Sequence, residues 1–98
     1  MKYYEKPICG IYKITHKPSN KCYIGLSVDI FKRWKEHTNF AQAKKKWSKI
    51  KQALYDHLLE FSFEVIEVCD EANLSSREIH WISVHNSFED GYNRTRGG

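Results

Sequence analysis

The chain has 98 residues, of which 41% are hydrophobic and 14% aromatic, a composition typical of a folded domain and not of a disordered segment. Lysine and arginine outnumber aspartate and glutamate by 16 to 12, so the formal net charge of +4 is compatible with nucleic-acid binding without requiring it. Three cysteines without Cys-x-x-Cys spacing argue against a disulfide or zinc scaffold, and no secretory signal, membrane-spanning stretch or lipidation motif is present. We therefore expect a single domain over residues 1–98, with a polar leader over residues 1–7, reduced thiols and no membrane association.

The first two predicted elements are strands that carry a near-palindrome, Gly-Ile-Tyr ending at Tyr12 and Tyr-Ile-Gly beginning at Tyr23. Pro18, between them, belongs in a turn and not in a central strand. A hairpin whose turn is centred just before Pro18 pairs Tyr12 with Tyr23 and Gly10 with Gly25. Directly opposed residues share one face of a sheet, so we expect two neighbouring phenols, with glycines that allow a ligand to approach the backbone.

Two helices, a third strand and a last helix follow the hairpin. Aromatic and β-branched residues indicate the strand, and the second helix shows an apolar stripe formed by Trp47, Ile50, Leu54, Leu58 and Leu59. The predicted boundaries are strands over residues 8–15, 21–26 and 61–68 and helices over residues 30–38, 47–59 and 73–85. The order β-β-α-α-β-α predicts an α+β fold with a small, mainly antiparallel sheet of three strands flanked by helices.

The first helix places Arg33 and His37 four residues apart, beside an expected core stripe of Phe31, Trp34 and Thr38. They are either two exposed polar residues of a surface helix or a guanidinium and an imidazole directed together at an anion. Arginine suits the second role because its planar fork of donors matches phosphate oxygens and keeps its charge at any working pH.

Glu78 lies in the middle of the apolar stripe of the last helix, among Leu74, Trp81 and Ile82 on the helical wheel. A buried carboxylate needs a cation, a metal or strong donors. One interpretation is a capping box between Ser75 and Glu78, although the apolar residues before Ser75 favour an earlier helix start. The other is that Glu78 binds a divalent cation such as Mg²⁺, which commonly takes one or two carboxylates together with water and phosphate oxygens.

Two further polar features allow two interpretations each. Asn93, which follows Gly91, is either a turn or cap residue or a hydrogen-bond partner of the site carboxylate or of a phosphate. The cluster of Lys44, Lys45 and Lys46 is either a solvated segment at the start of a helix or a phosphate-contacting patch.

Taken together, these motifs resemble the GIY-YIG nuclease family, and most closely the catalytic domains of phage and intron homing endonucleases. The resemblance covers the chain from about Cys9 to Thr95 and depends on six elements in the right order. The residues that carry it are the two triplets, with Tyr12 and Tyr23, followed by Arg33, His37, Glu78 and Asn93.

The resemblance implies an endonuclease that hydrolyses DNA phosphodiester bonds with one divalent ion, Mg²⁺ or Mn²⁺, bound by Glu78. Arg33 would stabilise the negative charge of the transition state. One of Tyr12 and Tyr23 would help to activate the attacking water while the other orients it, and the sequence does not decide between them. A phenol has a pKa of about 10 and needs a nearby positive charge to act as a base near neutrality.

The resemblance also assigns roles to the remaining polar residues. His37 would relay a proton or contact a phosphate, and Asn93 would orient the reacting groups. Lys32 is a further candidate for lowering the phenol pKa. The expected DNA contacts are Lys32, Lys44, Lys45, Lys46 and Arg94.

The expected partner is double-stranded DNA, bound by a monomer without a further small-molecule cofactor, in the cytoplasm or nucleoid of a bacterium or of a phage-infected cell. Homing relatives carry a separate DNA-binding domain, and this sequence shows no helix-turn-helix or zinc motif that would read bases. The chain is therefore either a fragment of a longer protein or a nuclease of low sequence preference. The main alternative function is a non-catalytic nucleic-acid-binding module on the same fold. A third is a small structural protein, with Glu78 as a cap and the tyrosines in its core.

Overall fold

The computed structural model describes residues 7–41 and 47–97. It contains three strands, β1 (Gly10–His16), β2 (Lys21–Ser27) and β3 (Phe61–Val68), and three helices, α1 (Ile30–His37), α2 (Lys49–His57) and α3 (Leu74–His85). Short 3₁₀ turns precede β3 (Leu58–Glu60) and α3 (Glu71–Asn73). The predicted order of elements and the antiparallel three-stranded sheet are confirmed. No helix in the described part of the chain is long and apolar enough to cross a membrane.

The sheet has the order β2-β1-β3, so the central strand carries the first triplet and an edge strand carries the second. One face, the α1–α2 face, buries Tyr12 and Ile14 against α1 and α2. The opposite face, the α3 face, buries Ile11 and Ile24 against α3. Because side chains alternate between the faces of a strand, each triplet contributes to both cores.

The predicted hairpin register was wrong by two residues. Tyr12 pairs with Gly25, and Tyr23 pairs with Ile14. The loop spans residues 17–20, where Asn20 adopts a left-handed conformation with φ of 62° and so places the turn centre one residue later than expected. A shift of two residues preserves the face of each side chain, so the two tyrosines remain neighbours, although on a diagonal.

The second helix is shorter than its apolar stripe predicted. Ser48 is its N-cap, and Ile50 and Leu54 are buried as expected. Because the chain turns into a 3₁₀ segment after the last helical residue, Leu58 and Leu59 are 39% and 92% exposed. The prediction that these two leucines extend the core stripe was therefore wrong.

The first helix buries a different set of residues from the one predicted. Ile30 and His37 are its buried residues, whereas Phe31, Trp34 and Thr38 are only partly buried and line a surface groove. Residues seven apart lie on the same side of a helix, so the side that carries Ile30 also directs His37 at the sheet.

Candidate active site

Two tyrosines from neighbouring strands form the centre of the site. Tyr12, on the central strand, is fully buried, whereas Tyr23, on the edge strand, is partly exposed. Their ring centroids lie 6.2 Å apart on the α1–α2 face. The prediction that the hairpin places two phenols next to each other is therefore confirmed, despite the different register.

The first helix adds an imidazole and a guanidinium to the two phenols. The Nε2 atom of His37 lies 2.8 Å from the Tyr12 hydroxyl, and the imidazole centroid is 5.9 Å from the Tyr12 ring and 5.4 Å from the Tyr23 ring. Arg33 lies one turn earlier with its side chain 50% exposed, and its Nη1 donates to Glu36 Oε1 at 3.0 Å. His37 is only 7% exposed, which excludes the interpretation of two exposed polar residues.

His37 is neutral at physiological pH. Burial, together with the positive charges of Arg33 and Lys51, lowers its pKa to about 4. The contact between the imidazole and the Tyr12 hydroxyl is therefore a hydrogen bond between two neutral groups. A neutral imidazole can accept the proton of the Tyr12 hydroxyl when Tyr12 receives a second proton from another group.

The environment makes the two phenols unequal. Burial raises the pKa of both tyrosines, while the Arg33 charge lowers it for both. Interaction with the Tyr12 hydroxyl lowers the pKa of Tyr23, whereas interaction with Tyr23 raises that of Tyr12. Since Tyr23 is also partly exposed, it is the phenol that ionises more readily and that solvent reaches.

Glu78 belongs to α3 and acts on the same tyrosine. Its negative charge, after burial, contributes to the raised pKa of Tyr23, so the carboxylate lies within electrostatic range of the phenol. The helix begins at Leu74 with Asn73 as its N-cap, which excludes the interpretation of a capping box between Ser75 and Glu78. The apolar residues before Ser75 had favoured this earlier start.

The donors near Tyr23 suit a hydrated metal ion and not a protein cage. Within residues 7–41 and 47–97, no three His, Cys, Asp or Glu side chains are grouped so that they could hold a metal ion. A single carboxylate beside a partly exposed phenol matches a divalent ion that takes its other ligands from water and from substrate phosphate. Glu78 is the residue that would hold such an ion.

A polar groove of about 350 Å³ opens beside the imidazole. It contains two cationic side chains, Arg33 and Lys51, and Lys51 Nζ donates to the Glu36 carbonyl oxygen at 3.0 Å. The carboxylate of Glu36 also lines this groove, and the two cations outnumber it, so the net positive charge favours an anionic ligand. Sequence reasoning missed Lys51, because nothing in its spacing marked it as a neighbour of His37.

Asn93 forms hydrogen bonds with the strand that carries Tyr23. Its Oδ1 accepts from the Ile24 N–H at 2.8 Å and from the Ser87 hydroxyl at 2.7 Å, and its Nδ2 donates to the Ile24 carbonyl at 2.8 Å. The side chain is buried and pairs with the outer edge of β2 in the manner of a neighbouring strand. Asn93 therefore holds the backbone directly after Tyr23, and these hydrogen bonds are not to the site carboxylate.

Comparison with known proteins identifies the family of this chain. Residues 8–93 match the family model of the GIY-YIG catalytic domain. The chain belongs to the GIY-YIG family. The resemblance seen in the two triplets and the four later polar residues is thereby confirmed.

This GIY-YIG domain is similar to a phage intron protein and to two solved structures. It is 31% identical over 87 residues to Intron-associated endonuclease 1 of Enterobacteria phage T4. The match covers 86% of this chain and 36% of that protein, so the chain spans about a third of the length of the curated relative. Nucleases of this family generally use a divalent metal ion.

The solved structures show the same fold. The catalytic domain of homing endonuclease I-TevI superimposes with a TM-score of 0.73 at 30% identity, covering 89% of this chain and 98% of that one. A mutant of the same catalytic domain gives a TM-score of 0.76 at 29% identity, covering 93% and 97%. This GIY-YIG domain is thus homologous to the catalytic domain of a homing endonuclease.

Two of the predicted DNA contacts, Lys32 and Arg94, are exposed. Lys32 lines the groove that contains Phe31 and Trp34, and also a second groove that contains Arg33. Lys44, Lys45 and Lys46 fall outside the described residues. A DNA-binding role for all five residues of the GIY-YIG domain stays a prediction.

Proposed function

We propose that this GIY-YIG domain is an endonuclease that hydrolyses DNA phosphodiester bonds with one divalent ion, Mg²⁺ or Mn²⁺, held by Glu78. The observation that carries the proposal is the convergence on Tyr23 of an imidazole and a guanidinium from α1 and a carboxylate from α3. A module that only binds nucleic acid has no need of a carboxylate beside the phosphate site, because it would repel the ligand.

The proton released by the attacking water passes along the hydroxyls. Tyr23 takes the water proton and passes its own to Tyr12, and Tyr12 passes its proton to Nε2 of His37. The 2.8 Å contact between the Tyr12 hydroxyl and Nε2 supports the last step. The lowered pKa of His37 keeps its imidazole unprotonated and also makes it a weak base, so His37 holds the proton only transiently. When bound, the metal ion would lower the pKa of the water and offset phosphate charge.

Arg33 stabilises the additional negative charge of the pentacovalent transition state. Its guanidinium is half-exposed beside the polar groove and remains charged at all relevant pH values. The ion pair with Glu36 is exposed and therefore weak, so it can yield to a phosphate. Asn93 is a positioning residue in this scheme, since it fixes the strand at Ile24.

The remaining parts of the proposal concern partners and setting. We propose double-stranded DNA as the substrate, a monomer as the acting species, and a linked or separate specificity domain, because the relative from phage T4 is about three times as long as the matched region. The described cysteines Cys9, Cys22 and Cys69 are free, which supports a reducing compartment such as the cytoplasm or nucleoid.

A supercoiled plasmid assay tests the proposal. The purified protein is incubated with plasmid in Mg²⁺, in Mn²⁺ and in EDTA, and the nicked and linear products are separated on a gel. Metal-dependent cleavage is the expected result. Salt-sensitive binding without cleavage in any metal would overturn it and favour the non-catalytic binding module.

A further inference from the structure

We propose that Glu67 is a positioning residue that fixes the direction of Glu78, an inference that rests on the metal role of Glu78 proposed above. Glu67 lies on β3, and one of its oxygens accepts two hydrogen bonds from α3. Arg77 Nε and Trp81 Nε1 each donate to Glu67 Oε1 at 2.8 Å. One strand carboxylate thus holds two donors one turn apart on the helix that carries Glu78.

The positions of these two donors on α3 determine which motions of the helix their hydrogen bonds to Glu67 restrain. Arg77 directly precedes Glu78 and Trp81 follows it by three residues, so they lie about 100° and about 60° from Glu78 on the same side of the helix. Two donors on one acceptor restrain both rotation about the helix axis and sliding along it. Glu78 is next to these donors around the helix, so the same two hydrogen bonds set the direction in which its side chain leaves the helix.

A β-bulge directs Glu67 at the helix. Tyr12 pairs with Val65 while Ile11 pairs with Glu67, so Ile66 is an extra residue in β3. Regular alternation from Val65, which packs on the α1–α2 face, would place Glu67 on that face as well. The bulge instead places Glu67 opposite Ile11, on the α3 face.

The first glycine of the chain's leading triplet makes room for this bulge. A Cβ atom built on Gly10 would overlap the carbonyl oxygen of Glu67 and lie 3.0 Å from the Cα of Val68. A residue without a side chain is therefore needed where the bulged strand passes closest to β1. Gly10 therefore has a structural role separate from that of the tyrosines. It makes room for the β-bulge through which Glu67 accepts hydrogen bonds from α3.

The test compares three variants that change the hydrogen bonds between Glu67 and α3 in different ways. Glu67→Ala removes the acceptor, Glu67→Gln keeps an acceptor oxygen without the charge, and Trp81→Phe removes one donor while keeping a ring for packing. Glu64→Ala is the matched control, because Glu64 lies on the same strand, forms its ion pair with Lys13 of β1 at 3.5 Å, and acts on α3 only through the effect of its charge on His85. Each protein is measured for melting temperature, single-turnover cleavage, DNA affinity and binding of Tb³⁺, the last through luminescence sensitised by the neighbouring tyrosines.

We expect Glu67→Ala to weaken Tb³⁺ binding and to slow cleavage, each on the order of 10-fold, with DNA affinity nearly unchanged. Trp81→Phe should produce a smaller shift of the same kind, Glu67→Gln should restore most of the loss, and Glu64→Ala should match the wild type. The inference would be overturned if the single variants Trp81→Phe and Glu67→Ala both bound Tb³⁺ and cleaved DNA as the wild type does. It would also be overturned if these variants lost melting temperature and nothing else. If Glu67→Ala fails to fold, Trp81→Phe and Glu67→Gln decide by the same criteria.

A further variant separates this inference from the proposed function. Glu78→Gln is measured in the same Tb³⁺ and cleavage assays. If Glu78→Gln retains both metal binding and cleavage, the metal role of Glu78 fails and the positioning role fails with it. If Glu78→Gln loses both while the Glu67 and Trp81 variants match the wild type, only the positioning role fails.

Discussion

The ring of Tyr12 lies directly over the Cα of Gly25, its partner across the hairpin. A Cβ atom built on Gly25 would overlap the Cζ and hydroxyl atoms of that ring. The second triplet therefore ends in glycine because the phenol of the first triplet occupies the space where a side chain would stand. This contact positions the Tyr12 hydroxyl at the imidazole of His37.

We predict that Gly25→Ala destabilises the fold through Tyr12. Overpacking a closed site costs about 1–3 kcal/mol, and the ring cannot move without losing its hydrogen bond to His37. A double-mutant cycle with Tyr12→Leu, which removes the overlapping atoms, should show a much smaller cost for Gly25→Ala in that background. Equal costs in both backgrounds, measured by urea unfolding, would contradict the contact as the cause.

The strands and the helix start signals of this fold could be predicted because they depend on local chemistry. Residues 61–68 form β3 as predicted, since aromatic and β-branched residues favour a strand. The first helix begins at residue 30 as predicted, where Asp29 is its N-cap and accepts a hydrogen bond from the Lys32 N–H. The register could not be predicted, because the conformation of Asn20 sets the turn centre. The adjacency of the tyrosines survived this error because a two-residue shift preserves the face.

The site could be predicted only in part, because some of its contacts are far apart in sequence. The motif spacing indicated the tyrosines, Arg33 and His37, but not that His37 is buried, since a histidine beside a charged face carries no signal of burial. The hydrogen bonds between Asn93 and Ile24 span 69 residues. The β-bulge that places Glu67 on the α3 face interrupts the alternation of side chains along β3, and no helix or strand periodicity in the sequence indicates it.

The two phenols should respond differently to removal of their hydroxyls. Tyr23→Phe should lower the cleavage rate by about 10²-fold or more with little loss of stability, because its hydroxyl is the one that meets water. Tyr12→Phe should lower the rate less and destabilise the fold by about 1–3 kcal/mol, because it leaves the buried His37 Nε2 without its partner. Single-turnover rates and unfolding curves for both variants decide, and equal, mild rate effects would remove both phenols from proton transfer.

Arg33→Ala should reduce cleavage by on the order of 10²-fold, because the guanidinium stabilises charge that is present only in the transition state. Arg33→Lys should recover only part of the rate, since an ammonium lacks the planar fork of donors. Lys35→Ala, which removes a cation from an exposed position of the same helix, is the control and should cleave at nearly the wild-type rate. A loss confined to DNA affinity, with the rate at saturating DNA unchanged, would assign Arg33 to substrate binding instead.

The buried imidazole should make stability depend on pH. The pKa of His37 falls from its ordinary value of 6.5 to about 4 in the folded protein, so the unfolded chain binds a proton between these values that the folded chain does not. The free energy of unfolding is therefore unaffected by this group above its pKa in the unfolded chain, and it decreases as the pH falls toward the pKa in the folded protein. The decrease amounts to about 2 kcal/mol at pH 5 relative to pH 7.

Urea unfolding at the two pH values measures this contribution, and His37→Gln should remove it. Burial also lowers the pKa of His85, so that residue contributes with the same sign, and His85→Gln measures its share separately. An unchanged pH dependence in His37→Gln would mean that the buried imidazole is not the source.

In the mechanism that we propose, Glu78 completes one catalytic site with Tyr12, Tyr23, His37 and Arg33. The most direct measurement is the single-turnover cleavage rate of Glu78→Gln in Mg²⁺, taken together with its DNA affinity and melting temperature. We expect Glu78→Gln to cleave at least about 10³-fold more slowly than the wild type, with the fold and the DNA affinity close to those of the wild type. Cleavage at a rate near that of the wild type would contradict this mechanism, because the reaction would then not depend on the carboxylate beside Tyr23.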